Sequence, residues 1–444
     1  VRTIKSFDKG MYIPHHKEYT NDKKITRLLP YPKEVIIPLN QHIGETVEPL
    51  VEVGDRVEVG DKIGDLDEFW SAPVFASLSG EVKAIEPRPT GTNGDCLSVV
   101  IAADEEQPEF TIEERENWEQ LSINELKNLL QENGIVGMGG AACPTHINVS
   151  ADDPVPNLIL NGAECEPFLT CDHRMMVEWA DKLIKGAQIL FRIIQAQDCF
   201  IGIETNKPDA IEVLEEKTAD LEHFHVVPLD TKYPQGYKKT LIKAITDKEP
   251  PMGARSAEVG CIVRNVGTTI AIYDAIVNQK PLFERVTTVS GPETIPQAGN
   301  YIVPIGTPVR HILEVCGVDT DNISSHKIIL GGAMTGSAVT TLDAPVTKSD
   351  TGVLLLPEEM VELNEEVGPC IRCGKCVDNC PMFLFPNELS LSAEAEDYHE
   401  AERLHATECA ECGICSYVCP SRRPVVESIV QAKPEAKKIR RSKK

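Results

Sequence analysis

The chain of 444 residues is 41% apolar and 25% charged, with 69 acidic against 44 basic side chains and a formal charge of −25. That length suffices for roughly three domains with full cores, and the composition is that of a globular chain, not a disordered one. The acid excess excludes a general nucleic-acid binder, which needs a basic footprint, and no apolar run reaches the ~18 residues of a membrane-spanning helix.

The opening Val1-Arg2-Thr3-Ile4-Lys5 lacks the apolar core of a signal peptide, so a cytoplasmic location is expected. Fifteen cysteines are the outlier. An odd number in an unexported chain argues for metal chemistry over a disulfide framework. Eight of them fall between Cys370 and Cys419.

In chain order, residues 1–29 read as an extended arm lying on another domain. They carry Pro14-His15-His16-Lys17. From residue 30 to 104, short β-like runs alternate with tight turns, including Val53-Gly54-Asp55 and Val59-Gly60-Asp61-Lys62. This predicts a small all-β module. Its texture resembles a barrel-sandwich hybrid, the fold of biotinyl and lipoyl carriers. Those carriers display a modified lysine at a hairpin tip, whereas Ser71–Gly80 contains none. A structural module is the expectation.

An acidic linker, 104–118, precedes a helical pattern at Ile123, Leu126, Leu129 and Leu130, closed by Gly134. From 118 to 282, buried strands at 158–160, 200–203 and 261–263 alternate with helical stretches near 175–195, 210–217 and 269–278. That predicts an α/β domain with a largely parallel sheet. Residues 283–357 turn back to β texture with one short helix at 309–316, suggesting a β-grasp unit. A cysteine-rich helical domain, 362–430, and a basic tail, 431–444, complete a multidomain α+β chain.

Within the cysteine-rich domain, Cys370-x2-Cys373-x2-Cys376-x3-Cys380-Pro381 recurs as Cys409-x2-Cys412-x2-Cys415-x3-Cys419-Pro420. This is the two-cluster ferredoxin run, in which the fourth cysteine of each run ligates the other cluster. Cys370, Cys373, Cys376 and Cys419 are therefore assigned to one [4Fe–4S] centre, and Cys409, Cys412, Cys415 and Cys380 to the second. Structural zinc is the competing reading, but two proline-terminated runs of four fit zinc spacing poorly.

Elsewhere, the glycine-rich Gly134–His146 segment contains Gly137, Gly139 and Gly140. Glycines let a backbone approach a phosphate or flat ring closely, although a tight turn is the commoner explanation of such a cluster taken alone. Asn161-Gly162-Ala163-Glu164-Cys165-Glu166-Pro167 and Arg264-Asn265-Val266-Gly267-Thr268 each follow a buried strand directly, where α/β sheets place ligand contacts. Three such loops in one domain point to a cofactor cleft.

These loops resemble the flavin site of the NADH-binding flavoprotein subunit of respiratory complex I. The order of modules, the Pro14–Lys17 arm, Tyr233-Pro234-Gln235-Gly236 and the Cys370–Pro381 run resemble the RnfC subunits of Rnf ion-translocating ferredoxin:NAD oxidoreductases. The similarity covers essentially the whole chain apart from the tail. It implies an SLBB-like β-grasp unit and non-covalent FMN on Gly137, Gly139 and Gly140. Asn161, Glu164 and Glu166 would surround the ring and ribityl chain, and Asn265 and Thr268 would close the phosphate end. It places NAD(H), as substrate, near Tyr233 and Gly236. It further implies a peripheral place at the cytoplasmic face of the membrane, with membrane-embedded and peripheral subunits and a ferredoxin-type carrier as partners. No side-chain acid, base or nucleophile is called for.

The chain departs from that family at Cys143, usually Phe, at Asn148, usually Lys, and at Tyr237-Lys238-Lys239, usually Gly-Glu-Lys. The first loss of a cation removes one phosphate contact, and Lys238 alters the nucleotide pocket. Glu164 and Glu166 have an alternative role at a helix N-terminus, and Cys143, Cys165 and Cys171 read as small buried residues. The basic tail reads either as a solvated end or as an anchor for anionic lipid or acidic subunits. Electron delivery to an amino-acid or cobalamin reductase, and a cluster-bearing scaffold without nucleotide activity, are the alternative functions.

Overall fold

The computed structural model describes residues 3–91, 94–150, 153–323, 325–361 and 366–443. Val1-Arg2 of the arm, the expected domain start at 362 and Lys444 of the tail lie outside the described residues. The arm contributes β1 (Ile25–Arg27), and the β module follows it. Its strands are β2 (Glu34–Pro38), β3 (Glu48–Pro49), β4 (Arg56–Val57), β5 (Lys62–Asp65), β6 (Val74–Phe75), β7 (Gly80–Pro89) and β8 (Asp95–Ala103). They form two antiparallel sheets, β2-β8-β7-β4 and β3-β5-β6. Alternation does the folding here: Val35, Ile37, Val99 and Ile101 point into one core with Ile63 and Val74 from the facing sheet. Both Gly-Asp turns repeat one device, since Asp55 accepts from the Glu52 amide and Asp61 from the Glu58 amide, each at 2.7 Å.

In the second domain, Ser122 and Glu125 cap α1 (Ile123–Glu132) reciprocally. Next come α2 (Thr145–Asn148), β9 (Asn157–Gly162), α3 (Cys171–Glu178), α4 (Ala180–Ile193), β10 (Asp198–Glu204), α5 (Pro208–Thr218), β11 (Phe224–Leu229), α6 (Lys238–Thr246), β12 (Cys261–Asn265) and α7 (Val266–Ile276). The single helix expected at 175–195 is two, parted at Trp179, whose φ of −121° is not helical. Strands β9–β12 pair in parallel in the order β11-β10-β9-β12. The order reverses between β9 and β12, which opens a crevice at their carboxyl ends.

The third unit contains β13 (Glu284–Ser290), β14 (Gly299–Pro304), α8 (Val309–Val315), β15 (Lys327–Leu330), β16 (Ser337–Val339) and β17 (Gly352–Leu356). Its six-stranded sheet runs β1-β14-β13-β17-β15-β16 and is mixed. The expected arm is thus partly a strand, because Ile25–Arg27 complete this sheet's edge.

Helix α9 (Glu358–Val361) follows β17 and packs its Val361 against the cluster of Ile329 and Leu354, and helices α10 (Lys375–Asp378), α11 (Pro386–Glu394), α12 (Tyr398–Arg403), α13 (Ile414–Tyr417) and α14 (Val425–Ser442) make the last domain. The basic tail is neither a solvated end nor a separate segment. It is the outer part of α14, whose Val425, Ile429, Ala432 and Ala436 are buried in the domain's core. Lys433 pairs with Glu411, Arg440 with Glu408 at 2.9 Å, and Lys443 with Glu402. Among the described residues no helix is long and apolar enough to cross a membrane.

The arm fastens these units together. The Lys5 amide donates to Pro228 O at 2.9 Å, Met11 pairs with Tyr233, and the Lys9 ammonium donates to Val377 O at 2.8 Å. Lys17 is buried, and its ammonium donates to the carbonyls of Glu164 (2.8 Å), Glu166 (3.0 Å) and Leu169. Lys348, also buried, joins the β module to the second domain through Pro73 O (2.7 Å) and Gly134 O (2.8 Å).

Candidate functional site

The crevice at the end of the parallel sheet collects the polar loops singled out in the sequence. Asn161 and Asn265 end β9 and β12 and are register partners across the strands. The glycine loop folds over them. Gly137 N donates to Cys143 O at 2.9 Å and closes the loop, while Met138 N donates to the Thr268 hydroxyl at 2.9 Å. Gly139 lies so close to Asn265 that a Cβ there would come within 3.0 Å of its side chain. Gly140, at φ +149°, adopts a backbone reserved for glycine and faces open space. Gly139, Gly140 and Ala141 are exposed in the crevice. At Gly140 the loop leaves its backbone open to the approach of a flat ring or phosphate.

Asn265 and Thr268 serve the loop before they serve any ligand. The Asn265 carbonyl accepts from Thr268 N at 3.2 Å and caps α7, and its amide donates to Asp172 at 2.6 Å. Asn161 donates to Gly236 O at 2.9 Å, and Gly236 N donates to the Cys165 sulfur at 3.3 Å. The structure therefore brings together Gly137, Gly139, Gly140, Asn161, Asn265, Thr268 and Gly236. Cys165 enters as a hydrogen-bond acceptor, a role the sequence reading did not give it.

The two glutamates split. Glu164, at φ +45°, buries its side chain and accepts from the amides of Asp172 (2.7 Å) and His173 (3.2 Å), so it closes the N-terminus of α3. Glu166 instead braces the second domain against the third, accepting from Met334 N (2.9 Å) and the Thr335 hydroxyl (2.5 Å), with the Tyr233 phenol oxygen 3.4 Å away. Tyr233 is buried and donates to Cys412 O at 2.8 Å, so it braces the domain boundary and does not line the open crevice.

Electrostatics single out Asp172 and Arg264, to which the sequence reading gave no role, together with Lys238, which it placed in the nucleotide pocket. Burial, then the neighbouring Glu164, pushes the Asp172 carboxyl up to about 7 against its bonds from Asn265 and Gly267. Burial pulls the Arg264 guanidinium down to about 10. Lys238 is also lowered, first by burial and then by Arg264. A charged residue inside the apolar run Cys261-Ile262-Val263-Arg264 was the available signal, because strands bury charge only for cause.

Cysteine geometry is the other half of the site. A cavity is lined by Cys380, Cys409, Cys412 and Cys415, with Met382, Leu384, Ile414 and Ile429 around them. A second is lined by Cys370, Cys373, Cys376 and Cys419. The fourth thiol of each run has crossed to the other run's cavity. Among the described residues no three His, Cys, Asp or Glu side chains converge as for a single ion. Thiols spread around a cavity suit a multinuclear cluster, whereas zinc draws its four ligands to one point.

Both runs share one backbone recipe. Arg372 and Gly374 in the first, and Glu411 and Gly413 in the second, have positive φ between +54° and +79°. Alternating left- and right-handed residues curl amide groups inward, and Glu411 N reaches the Cys409 sulfur at 3.4 Å. Burial and the adjacent thiols push Cys412 up to about 12 and raise Cys415 as well. Thiolates are stable in such a place only against a positively charged core, which iron supplies. The residues fit two [4Fe–4S] clusters.

The two cavities differ in surroundings. The one holding Cys412 abuts the nucleotide domain through Tyr233 and through Lys239, which pairs with Glu408 at 2.8 Å. The other is open to solvent, with Cys373 and Ile371 exposed.

Three family models match parts of the chain. One family model, described as the Nuo51 FMN-binding domain, matches residues 130–274. Another, the RnfC barrel sandwich hybrid domain, matches 5–106, and a 4Fe-4S dicluster domain matches 369–422. The C component of the proton-translocating ferredoxin:NAD(+) oxidoreductase complex of Clostridium ljungdahlii is 42% identical over 402 residues, 90% of this chain and 87% of that one. Its counterpart in the Na(+)-translocating complex of Acetobacterium woodii is 37% identical over 435 residues, 97% of each chain. With a barrel sandwich module of the RnfC type and relatives 42% and 37% identical over 90% and 97% of its length, the chain belongs to the RnfC family, the C components of ion-translocating ferredoxin:NAD(+) oxidoreductase complexes.

Proposed function

We propose that this chain is the peripheral electron-transfer subunit of a membrane complex that couples ferredoxin:NAD redox chemistry to ion translocation. FMN, when bound, supplies hydride exchange with NAD(H) and single-electron exchange with the clusters. The chain supplies position. Gly137, Gly139 and Gly140 carry the ring, Asn161 and Gly236 border it, and Asn265 and Thr268 hold the loop in place. Cys409, Cys412, Cys415 and Cys380 hold an inner cluster beside the nucleotide domain. Cys370, Cys373, Cys376 and Cys419 hold an outer one where a partner can approach.

One observation carries this reading: two four-thiol cavities with exchanged fourth ligands, one of them tied to the nucleotide domain by Tyr233 and Cys412. Residues 283–357 are read as a β-grasp, SLBB-like unit, because a single helix packs on a mixed sheet. The partners are read as membrane-embedded and peripheral subunits and a ferredoxin-type carrier, with the chain on the cytoplasmic face.

Anaerobic purification tests the whole. The expected yield is one FMN and about eight irons per chain, with both flavin absorbance and cluster signals bleached by NADH. A chain without flavin would end the proposal, and flavin that NADH leaves oxidised would move it to a different electron donor.

A further inference from the structure

Arg264 is 8% exposed at the carboxyl end of β12. Its Nη1 donates to Val263 O at 2.5 Å, but Nε and Nη2 are buried and have no partner among the described residues. Those two groups form the edge of a guanidinium that matches two oxygens of a carboxylate or phosphate. Lys238, the first residue of α6, faces the same place from the crevice rim, and Cys143 lies beside both, its thiol bonded to Asn148. Among the described residues neither cation has a carboxylate partner, in a chain where acids outnumber bases by 69 to 44. An uncompensated buried charge is costly. Its persistence at the mouth of a nucleotide crevice implies an anion supplied from outside.

The obvious alternative place for that anion, the N-terminus of α7, is already filled. Asn265 caps Thr268 N, and the Asp172 carboxylate accepts from the Asn265 amide. A phosphate there would meet a buried acid. Two cations with free N–H groups adjoin the glycine loop instead.

We propose that Arg264 and Lys238 form the binding site for a phosphate ester of the nucleotide in the crevice, with Arg264 donating through Nε and Nη2 and Lys238 through its ammonium. This rests on the flavin reading of the crevice. The phosphate comes either from the flavin mononucleotide or from the nicotinamide dinucleotide, and the two sources separate experimentally.

The test compares the wild-type chain with Arg264→Gln and Lys238→Gln. Each is purified anaerobically with its clusters, stripped of flavin, and titrated with FMN, riboflavin and, after FMN loading, NADH. Iron content and the thermal midpoint check that each variant is folded, and Lys238→Gln, at the rim, carries the test if Arg264→Gln does not fold. Arg264→Lys restores part of the lost affinity if charge is the cause. The expected result is a wild-type preference for FMN over riboflavin of about a hundredfold. Both variants should lose most of that preference while keeping riboflavin affinity. If the FMN preference survives and NADH binding falls tenfold or more, the site belongs to the dinucleotide phosphate. If both variants bind FMN and NADH as the wild type does, the proposal is overturned and the flavin reading stands. If the wild-type chain binds neither flavin, the reading beneath it falls too.

Discussion

The phenol of Tyr233 donates to the backbone carbonyl of Cys412 at 2.8 Å, so one hydrogen bond joins the nucleotide domain to the loop of a cluster ligand. Tyr233 follows β11 closely and is itself fixed by Met11 of the arm, by Glu166 and by burial. Removing the hydroxyl in Tyr233→Phe should cost about 1 kcal/mol of stability and leave FMN and iron content unchanged. Stopped-flow absorbance should show cluster reduction by NADH slowed relative to flavin reduction. An unchanged ratio of the two rates would mean that this contact only holds the domains together.

Ligand exchange between the runs makes paired mutants informative. Cys380→Ser should destroy the inner cluster, though Cys380 belongs to the run of Cys370, and leave about four irons in the outer one. NADH should then reduce the flavin but no cluster. Cys419→Ser should do the reverse, sparing an inner cluster that NADH still reduces. Iron analysis with paramagnetic resonance reads both, and loss of the same cluster in the two variants would refute the crossed assignment.

Glu408 sits between Lys239 of α6, at 2.8 Å, and Arg440 of α14, at 2.9 Å. Burial raises its pKa, yet hydrogen bonds and charge from these two cations hold it below the usual carboxylate range. Glu408→Gln weakens both pairs, and a loss on the order of 2 kcal/mol is expected after allowance for partly exposed partners. Calorimetry should show the loss shrinking in high salt.

Asp172 gives the chain a pH signature. Its folded pKa is raised to about 7, so from the unfolded carboxylate range near pH 4 up to about 7 the folded state holds the extra proton. The stability this contributes is complete at low pH and is lost as pH rises through 7. Asp172→Asn lacks that slope. Its thermal midpoint relative to the wild type should therefore climb between pH 5 and pH 8. A difference that stays flat would show an ordinary carboxylate at that position.

The cysteine runs could be read from sequence because ligand spacing is a local property, fixed by a few backbone angles at Arg372, Gly374, Glu411 and Gly413. The crevice was legible for a related reason: polar loops directly after buried strands must gather at one end of a parallel sheet. Roles inside the crevice were less legible. Glu164 and Glu166 look alike in sequence, and only the third dimension sends one to the end of α3 and the other to Met334 and Tyr233. Helix α6 escaped notice because its apolar Leu241, Ile242 and Ile245 are set among lysines, and β11 because Pro228 interrupts its pattern. Pro434 concealed α14 in the same way, since a proline normally ends a helix. Buried Ala432 and Ala436 and the carboxylates of Glu402, Glu408 and Glu411 hold that helix together across the interruption.

Lys9 is bound to Val377 across 368 positions of sequence. On a ribosome, that contact must wait until nearly the whole chain has emerged. The arm therefore cannot finish folding with the domains nearest to it in sequence, and its long closure belongs to the slow, high-contact-order part of folding. A chain shortened before residue 377 should leave Lys9 more accessible to protease, while Lys5 and Met11 on either side still pair with Pro228 and Tyr233 of the folded nucleotide domain.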